Sequence, residues 1–388
     1  MLHEGSFFKK RPPWPPEAKM NIPFVNLNRT HEPIREEIDR AIGEVIDANN
    51  YINGRQIREF ESDFAHFLGV QSVVGMSSGT DALFLALKVG GVQEGDYVIT
   101  VPNTFIATTE AITMAGGKIF FTDVAEESSN MSPEKLETLL ETVDNKIAHK
   151  IKAIIFVDLY GNPQDLDKIY QIAKAHHILL ISDAAQAHGA LIDNKSITDF
   201  ADITTYSFYP GKNLGAFGDA GAIATNNLEI AEKIRQLRNH GRTEKYIHNL
   251  EGYNCRLDTL QAAILKVKLK YLGQWNKHRI ETASLYNKHL SKKGMFCPAV
   301  TGRYRSVFHL YVTRSSARDS LMKRLKEAGV GVGIHYPVPL HLQPAYRHLG
   351  YKQGDFPVSE KLSETIISLP MDGAITTEEV EYVCNLLP

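Results

Sequence analysis

The feature that most constrains the fold is a series of short apolar segments without the polar alternation of a half-exposed strand. Amphipathic stretches with the spacing of helices separate them. Apolar segments of this kind form strands that are buried on both faces, as in a mostly parallel sheet covered by helices. The sequence therefore predicts an α/β fold with a seven-stranded main sheet. The predicted strands are residues 72–76, 97–101, 118–121, 153–157, 178–181, 203–208 and 222–224.

The pattern changes near residue 270, which predicts two lobes. A helix that begins at Thr259 is followed by more helix and by a shorter strand at 308–312, a combination typical of a small α+β unit. A chain of 388 residues is long enough for two lobes. We therefore assign residues 21–270 to a large domain and residues 271–388 to a small C-terminal domain. Residues 1–20 are rich in proline, which predicts an N-terminal extension outside both domains.

The composition excludes several classes of protein. A formal net charge of −2 with scattered basic residues does not suit a nucleic-acid surface. No apolar run reaches the roughly 18 residues that a membrane-spanning helix requires. The three cysteines, Cys255, Cys297 and Cys384, are far apart and lack the spacing of metal ligands. We therefore expect a cytoplasmic enzyme without a metal site, a nucleic-acid partner or a membrane anchor.

Four polar segments follow predicted strands, at residues 77–80, 103–105, 183–186 and 207–212. In a parallel sheet the carboxyl ends of the strands lie at one edge, and ligands bind in the crevice outside them. We therefore expect the four segments to form one pocket.

Lys212 and Asp183 indicate the chemistry of this pocket. Lys212 lies in a glycine-rich turn between two predicted strands, and Asp183 ends another strand. A lysine amine can form a Schiff base, and a buried carboxylate can pair with a protonated pyridine nitrogen. Together they indicate pyridoxal 5′-phosphate (PLP) as the cofactor. The alternatives are that Lys212 is a surface lysine in a turn and that Asp183 caps a helix.

Other side chains suggest how the cofactor is held. Ser78, Gly79 and Thr80 open a helix, where backbone N–H groups bind anions, although an ordinary N-cap is the alternative. Ser207 can add a hydroxyl to the same anion, or it is an ordinary residue at a strand end. Phe105 lies at a strand-to-helix turn, where an aromatic ring either stacks on a flat ligand or packs in the core.

Three more segments carry candidate binding residues. The amide of Gln186 can face the phenolic oxygen of the cofactor. The amide of Asn254 can bind a phosphate, with a turn asparagine as the alternative. The loop from His335 through Tyr336 to His341 is polar and aromatic, which suggests substrate contact, with surface histidines as the alternative.

Four motifs, in this order along the chain, resemble those of the DegT/DnrJ/EryC1/StrS family. The motifs are Ser-Ser-Gly-Thr-Asp-Ala-Leu at 77–83, Asp-Ala-Ala-Gln-Ala-His-Gly-Ala at 183–190, Ser-Phe-Tyr-Pro-Gly-Lys-Asn-Leu-Gly-Ala at 207–216 and Gly-Tyr-Asn-Cys-Arg-Leu at 252–257. The resemblance extends from about Pro23 to the C-terminus. It implies a PLP-dependent nucleotide-sugar aminotransferase of fold type I, the fold of aspartate aminotransferase. It also implies a homodimer with shared active sites.

The resemblance implies a role for each candidate residue. Lys212 would form the Schiff base with PLP and move the proton in a two-step transamination. Asp183 would pair with the pyridine nitrogen, Gln186 would lie near the ring hydroxyl, and Phe105 would stack on the ring. The phosphate would be held by Ser78, Gly79, Thr80 and Ser207, together with Asn254 of the partner subunit. The residues on the substrate side would be Tyr209, His335, Tyr336 and His341.

The flank of Lys212 resembles one branch of the family. The stretch from Asn213 to Asp219 looks like that of enzymes acting on 3-keto sugars, and Tyr209-Pro210-Gly211 is similar to members that use dTDP-linked substrates. The implied reaction moves the amine of L-glutamate to C-3 of a dTDP-linked 3-keto-6-deoxyhexose, giving a dTDP-3-amino-3,6-dideoxyhexose. Two positions depart from the family pattern. Ser182 stands where many members have glutamate, and Asp158 stands where many have histidine.

Three other functions are alternatives. Amination at C-4 is the first, although enzymes of that kind more often have a Thr-x-Glu-Gly-Gly stretch at this point. A PLP-dependent sugar 3-dehydratase is the second, but such enzymes have histidine in place of Lys212. A non-catalytic sensor of PLP or sugar nucleotides is the third, although every chemical position is filled in this chain and no DNA-binding segment is evident.

Overall fold

The computed structural model describes residues 20–300 and 302–388. The predicted N-terminal extension, residues 1–20, lies outside this description except for Met20. Within the described residues no helix is both long and apolar enough to cross a membrane.

The described chain alternates helices and strands through its first two thirds. The α-helices are α1 (Asn28–His31), α2 (Arg35–Ala48), α3 (Arg55–Leu68), α4 (Gly79–Val89), α5 (Ala107–Met114), α6 (Pro133–Thr142), α7 (Asn145–Ala148), α8 (Leu166–Ala175), α9 (Leu228–Leu237), α10 (Thr259–Leu290), α11 (Arg318–Glu327), α12 (Pro357–Thr365) and α13 (Thr377–Leu386). The strands are β1 (Ser72–Met76), β2 (Tyr97–Thr100), β3 (Lys118–Phe121), β4 (Ile151–Val157), β5 (Leu179–Asp183), β6 (Leu191–Ile192), β7 (Lys195–Ser196), β8 (Ile203–Ser207), β9 (Gly221–Thr225), β10 (Arg242–Glu244), β11 (Ile247–His248), β12 (Tyr304–Arg305), β13 (Tyr311–Arg314) and β14 (Ile366–Leu369).

The main sheet has seven strands in the order β1-β9-β8-β5-β4-β2-β3. Only β9 runs antiparallel to its neighbours, β1 and β8. The other pairs, β8 with β5, β5 with β4, β4 with β2 and β2 with β3, are parallel. The predicted seven-stranded, mostly parallel sheet is therefore confirmed.

Helices cover both faces of the sheet, as the apolar strands predict. Along β4 the side chains alternate between two hydrophobic clusters. Ile154 and Phe156 lie in one cluster, Ala153 and Ile155 lie in the other, and all four are fully buried. A strand buried on both faces has no polar side to show, which explains why the sequence lacks alternation.

Helix α10 joins the two lobes. Its first half packs on α2 and α3 of the sheet-bearing lobe, and its last turns pack on α13. The predicted domain boundary between residues 270 and 271 therefore falls inside one continuous helix. The division into two domains stays a prediction.

The C-terminal lobe has its own core. The antiparallel pair β13–β14 packs with α11, α13 and the end of α10 around Tyr286 and Tyr311. The strand predicted at 308–312 begins later, at Tyr311. Phe308 has a φ of +44°, outside the extended region, and its carbonyl accepts a hydrogen bond from Arg279.

Candidate active site

A cleft of about 530 Å³ lies at the carboxyl ends of the parallel strands, where the sequence predicts a pocket. All four predicted segments contribute to its wall. Thr80 follows β1, Phe105 follows β2, Asp183 ends β5 and Lys212 follows β8. They meet because these strands run in one direction through the sheet, so that their carboxyl ends share an edge.

Asp183 is buried at the end of β5 and has a fixed orientation. The hydroxyl of Thr108 donates to its Oδ2 over 2.9 Å, and the N–H of Ala185 donates to its Oδ1 over 3.3 Å. Burial raises the pKa of Asp183, while these two donors and nearby Lys212 oppose the rise. The two neutral donors hold the Asp183 carboxylate in place but do not balance its charge. A cationic group of a ligand in the cleft would therefore form an ion pair with it.

Lys212 belongs to the turn that joins β8 to β9. Its backbone N–H donates to the carbonyl of Tyr209 over 2.8 Å, and its side chain lines the cleft. Burial lowers the pKa of Lys212 to about 8, although the charge of Asp183 partly offsets this. A lysine with a pKa near 8 loses its proton more readily than an ordinary lysine, so a larger fraction of its amine is free and nucleophilic near neutral pH.

The N-terminus of α4 forms a narrow corner of the cleft. Ser78 caps this helix by accepting from the N–H of Asp81 over 3.0 Å. A Cβ on Gly79 would lie 2.7 Å from the Cβ of Ser207, and a Cβ on Gly221 would lie 2.4 Å from the carbonyl of Ser78. The two glycines therefore let the helix start, β8 and β9 meet closely enough to surround a small anion.

Aromatic rings form another wall. The ring centroids of Phe105 and Tyr336 are 5.8 Å apart, and Phe105 is 56% exposed within a single chain. Burial raises the pKa of Tyr336 to about 12, with Asp183 adding to the rise and Gln186 opposing it. The side-chain oxygen of Gln186 accepts from the N–H of Tyr160 over 2.6 Å, which fixes the direction of this amide beside Tyr336. Tyr209 also lines the cleft.

The two predicted histidines lie elsewhere. His335 directs Nδ1 to the hydroxyl of Ser368 at 2.8 Å and stacks on Phe24. His341 is 2% exposed, and its Nε2 lies 3.0 Å from a carboxylate oxygen of Glu360. Neither lines the cleft of the described single chain. That they contact substrate stays a prediction.

Asn254 is also absent from the wall of the cleft in its own chain. It lies in the segment before α10, where its backbone pairs with Asn239, and its side chain is exposed. From this place it is available to a second molecule.

The structure adds site residues that the sequence analysis did not single out. Thr104 and Thr108 line the cleft, and their hydroxyls are 2.9 Å apart. The available signal was their spacing of four residues directly after a strand, which places both hydroxyls on one side of the turn that starts α5. Asp219 also lines the cleft, as the last polar residue before β9.

The two departures from the family pattern contact each other behind Asp183. Oδ2 of Asp158 accepts from the hydroxyl of Ser182 over 2.6 Å, and Asp158 is fully buried. Burial raises the pKa of Asp158 well above its usual range, and the charge of Asp183 adds to this. The other carboxylate oxygen of Asp158, Oδ1, is buried and has no hydrogen-bond partner among the described residues.

The described residues contain no group of three or more histidine, cysteine, aspartate or glutamate side chains that could hold a metal ion. The cleft does suit PLP. The corner at α4 can offer backbone N–H groups and hydroxyls to the phosphate, Asp183 can pair with the pyridine nitrogen, and Lys212 can react with the carbonyl. When bound, PLP supplies an electron sink for proton transfer.

Comparison with known proteins identifies the group to which this site belongs. Residues 32–388 match the DegT/DnrJ/EryC1/StrS aminotransferase family. The chain is 41% identical to a "pleiotropic regulatory protein" of Geobacillus stearothermophilus, over 94% of this chain and 97% of the relative. It is 39% identical to a dTDP-3-amino-3,6-dideoxy-alpha-D-galactopyranose transaminase of Aneurinibacillus thermoaerophilus, over 93% of this chain and 97% of the relative. It is 38% identical to a UDP-N-acetyl-3-dehydro-alpha-D-glucosamine 3-aminotransferase of Acidithiobacillus ferrooxidans, over 94% and 97%.

Solved structures share the fold. DesV of S. venezuelae, crystallised in complex with a ketimine intermediate, has a TM-score of 0.89 and 35% identity, over 94% of this chain and 97% of DesV. NtdA of Bacillus subtilis, with bound cofactor PMP, has a TM-score of 0.86 and 31% identity, over 95% of this chain and 86% of NtdA. The predictions of fold type I, of PLP and of an aminotransferase are therefore confirmed. This chain belongs to the DegT/DnrJ/EryC1/StrS family of PLP-dependent aminotransferases.

Proposed function

We propose that this chain transfers the amino group of L-glutamate to C-3 of a dTDP-linked 3-keto-6-deoxyhexose. The observation that carries the proposal is the pairing, in one cleft, of a lysine amine with a buried carboxylate, Lys212 with Asp183. The amine suits exchange between an amino acid and a keto group, and the carboxylate suits a protonated pyridine.

The names of two relatives support the C-3 position. Both the dTDP-sugar transaminase of Aneurinibacillus and the UDP-sugar enzyme of Acidithiobacillus carry the amino group at C-3 in their names. The similarity of Asn213 to Asp219 to the 3-keto branch points the same way. The dTDP nucleotide is supported by the first of these relatives and by the form of Tyr209-Pro210-Gly211.

The lining of the cleft supports Lys212 as the residue that transfers the proton. Among the described residues that line it, Lys212 is the only one with an amine, a guanidinium or an imidazole. Tyr336 stays protonated at neutral pH because its pKa is raised to about 12. These observations support Lys212 as the residue that would hold the cofactor and whose Nζ would accept and return the proton.

The substrates call for positive charge that one chain does not provide. Glutamate carries two carboxylates and a nucleotide sugar carries a diphosphate, and such groups bind best to cationic side chains. The described lining of the cleft includes two aspartates, Asp183 and Asp219, and no arginine. This supports a homodimer in which the partner subunit completes the site, with Asn254 as one contributed residue.

A coupled half-reaction tests the proposed function. The protein is loaded with PLP, converted to its amino form with L-glutamate, and offered dTDP-3-keto-6-deoxyhexose or dTDP-4-keto-6-deoxyglucose in separate samples. We expect an amine at C-3 of the first sugar, located by NMR. Lys212→Ala is the control, and it should lower turnover by about a thousandfold or more because a covalent catalyst is lost.

Each other outcome assigns a different function. An amine only at C-4 of the second sugar would keep the family and refute the proposed position. The UDP-linked 3-keto sugar, offered in parallel, shows whether the nucleotide is wrong. A PLP absorption spectrum unchanged by any amino donor would favour the non-catalytic sensor.

A further inference from the structure

One polar stripe of α10 holds the turn that carries Lys212. The stripe consists of Gln261, Lys268 and Asn276, whose spacings of seven and eight residues place them two helical turns apart on the same face. A polar stripe is unusual at this place, because the surrounding positions of the helix are apolar and buried against the sheet-bearing lobe.

The stripe meets the turn at alternate residues after Lys212. Asn213 donates its side-chain N–H to Oδ1 of Asn276 over 3.0 Å. The N–H of Phe217 donates to Oε1 of Gln261 over 2.8 Å. Between these contacts, Nζ of Lys268 donates to the carbonyl of Gly215.

Lys268 is the central and most buried of the three contacts. It is 3% exposed, and its Nζ also donates to Nε2 of His31 over 2.9 Å. The ring of Phe217 lies 5.3 Å from Nζ and 5.0 Å from the ring of His31. The ammonium is therefore enclosed by a carbonyl, an imidazole and an aromatic face, all of which attract a cation. Burial of a lysine head group is costly, and an apolar side chain would fill this position more cheaply.

The turn has free space on the side where Lys268 lies. Gly215 is pressed against its own turn, since a Cβ there would lie 2.3 Å from the carbonyl of Pro210. A small cavity of about 20 Å³ lies beside the turn and is lined by Lys212, Asn213 and Lys268, among others. Lys212 thus lines both this cavity and the large cleft, so a loosened turn can shift its side chain out of the cleft.

We propose that Lys268 is a positioning residue, which fixes the Lys212 turn on α10 through the carbonyl of Gly215. The inference rests on the proposed role of Lys212. It predicts that loss of the ammonium loosens the turn and misplaces the amine, with little effect on the binding of substrate.

The test uses the full-length protein loaded with PLP and three variants. Lys268→Met removes the ammonium and keeps the length of the side chain. Lys268→Arg keeps a cationic donor. Lys270→Met is the matched control, since Lys270 is on the same helix, is 59% exposed and only pairs with Glu37 at the surface.

Hydrogen–deuterium exchange measures the turn directly. In Lys268→Met we expect the amides of Lys212, Ala216 and Phe217 to exchange about tenfold faster, because local opening is less costly. We expect kcat to fall about tenfold, with KM for glutamate changed less than about twofold. Lys268→Arg should restore at least part of the slow amide exchange and part of kcat. Lys270→Met should match the wild type in both quantities.

Specific outcomes would overturn the inference. Exchange in Lys268→Met within about twofold of the wild type would show that the contact does not hold the turn. If Lys270→Met lost as much amide protection and kcat as Lys268→Met, the effect would come from disturbing α10 in general and not from the contact with the turn. If Lys268→Met does not fold, Gln261→Ala removes the milder outer contact, and unchanged exchange at Phe217 and Ala216 in that variant would also contradict the stripe.

The result is separable from the proposed function. Reduction with borohydride followed by peptide mapping identifies the lysine that carries PLP. Attachment at a residue other than Lys212 would refute the role of Lys212, whereas amide exchange still reports whether Lys268 holds the turn.

Discussion

At the scale of single residues, burial in the cleft favours the neutral forms of both Asp183 and Lys212. It raises the pKa of Asp183 and lowers the pKa of Lys212 to about 8. Their mutual attraction opposes this shift. A site without cofactor therefore holds two charges at a cost, and PLP relieves the cost at both ends by pairing with one group and reacting with the other.

Lys212→Met should stabilise the PLP-free protein at neutral pH. With a folded pKa of about 8 and an unfolded value of 10.5, the buried charge costs up to roughly 3 kcal/mol below pH 8. Between pH 8 and 10.5 the unfolded state binds more protons, so stability of the wild type rises and the advantage of the variant disappears by about pH 10.5. Urea unfolding at pH 7, 9 and 10.5 measures this. An advantage that is the same at all three values would show that packing, and not charge, is responsible.

Sequence analysis identified the residues whose chemistry is unusual for their place. Lys212 and Asp183 could be predicted because a lysine in a glycine-rich turn and a carboxylate at a buried strand end need an explanation. His335 and His341 were predicted to contact substrate from a polar loop and from the family resemblance, whereas the directions of their side chains depend on Ser368 and Glu360, which lie outside that loop. Local pattern does not specify such partners.

At the scale of elements, the strands of the main sheet could be predicted because a strand buried on both faces is apolar along its whole length. The sequence did not predict α10 as one continuous helix, because the spacing of its buried residues changes along the helix. They are nearly continuous from Ala262 to Leu265, where the helix lies against two other helices, and occur every three to four residues from Asn276 onward. The change of spacing resembles the end of one helix and the start of another, although the backbone continues.

The start of α4 gives a test at this scale. Gly79→Ala places a Cβ 2.7 Å from the Cβ of Ser207, so the helix start and β8 must separate. We expect PLP to bind at least about tenfold more weakly because the corner for its phosphate opens. Titration with PLP, followed by absorbance, measures the dissociation constant.

The matched control is Gly273→Ala within α10, where no atom lies within 4 Å of the added Cβ. It should bind PLP normally and gain up to about 1 kcal/mol of stability from helix propensity. Equal PLP affinity in Gly79→Ala and the wild type would contradict the assignment of this corner to the phosphate.

At the scale of the whole molecule, several exposed apolar side chains lie near the cleft and the turn. Phe105, Tyr209 and Phe217 are each at least 42% exposed within the described single chain. Apolar side chains exposed in this way, beside a cleft whose described lining has no arginine or histidine, are what we expect of a site shared within a homodimer.

Mixing two inactive variants tests the shared site. Lys212→Ala supplies an intact Asn254, and Asn254→Ala supplies an intact Lys212. If each site uses Lys212 from one subunit and Asn254 from the other, an equal mixture that exchanges subunits should regain about a quarter of the wild-type activity. Activity is measured after co-expression with two affinity tags. A mixture of Lys212→Ala with Lys212→Arg is the control and should regain none. Absence of recovery in the test mixture would show that Asn254 serves its own chain, whereas full activity of Asn254→Ala by itself would show that Asn254 serves no site.

The order of the strands also bears on how the protein is made. The edge strand β1 pairs with β9, which is synthesised last of the seven, and the register joins Ser72 to Thr225. A nascent chain on the ribosome must therefore keep β1 and α4 without their sheet neighbour until β9 has emerged. Because Gly221 closes the corner beside Ser78, the capacity to capture PLP arises late in translation. A chain truncated before β9 should accordingly depend on chaperones and gain no protection from added PLP.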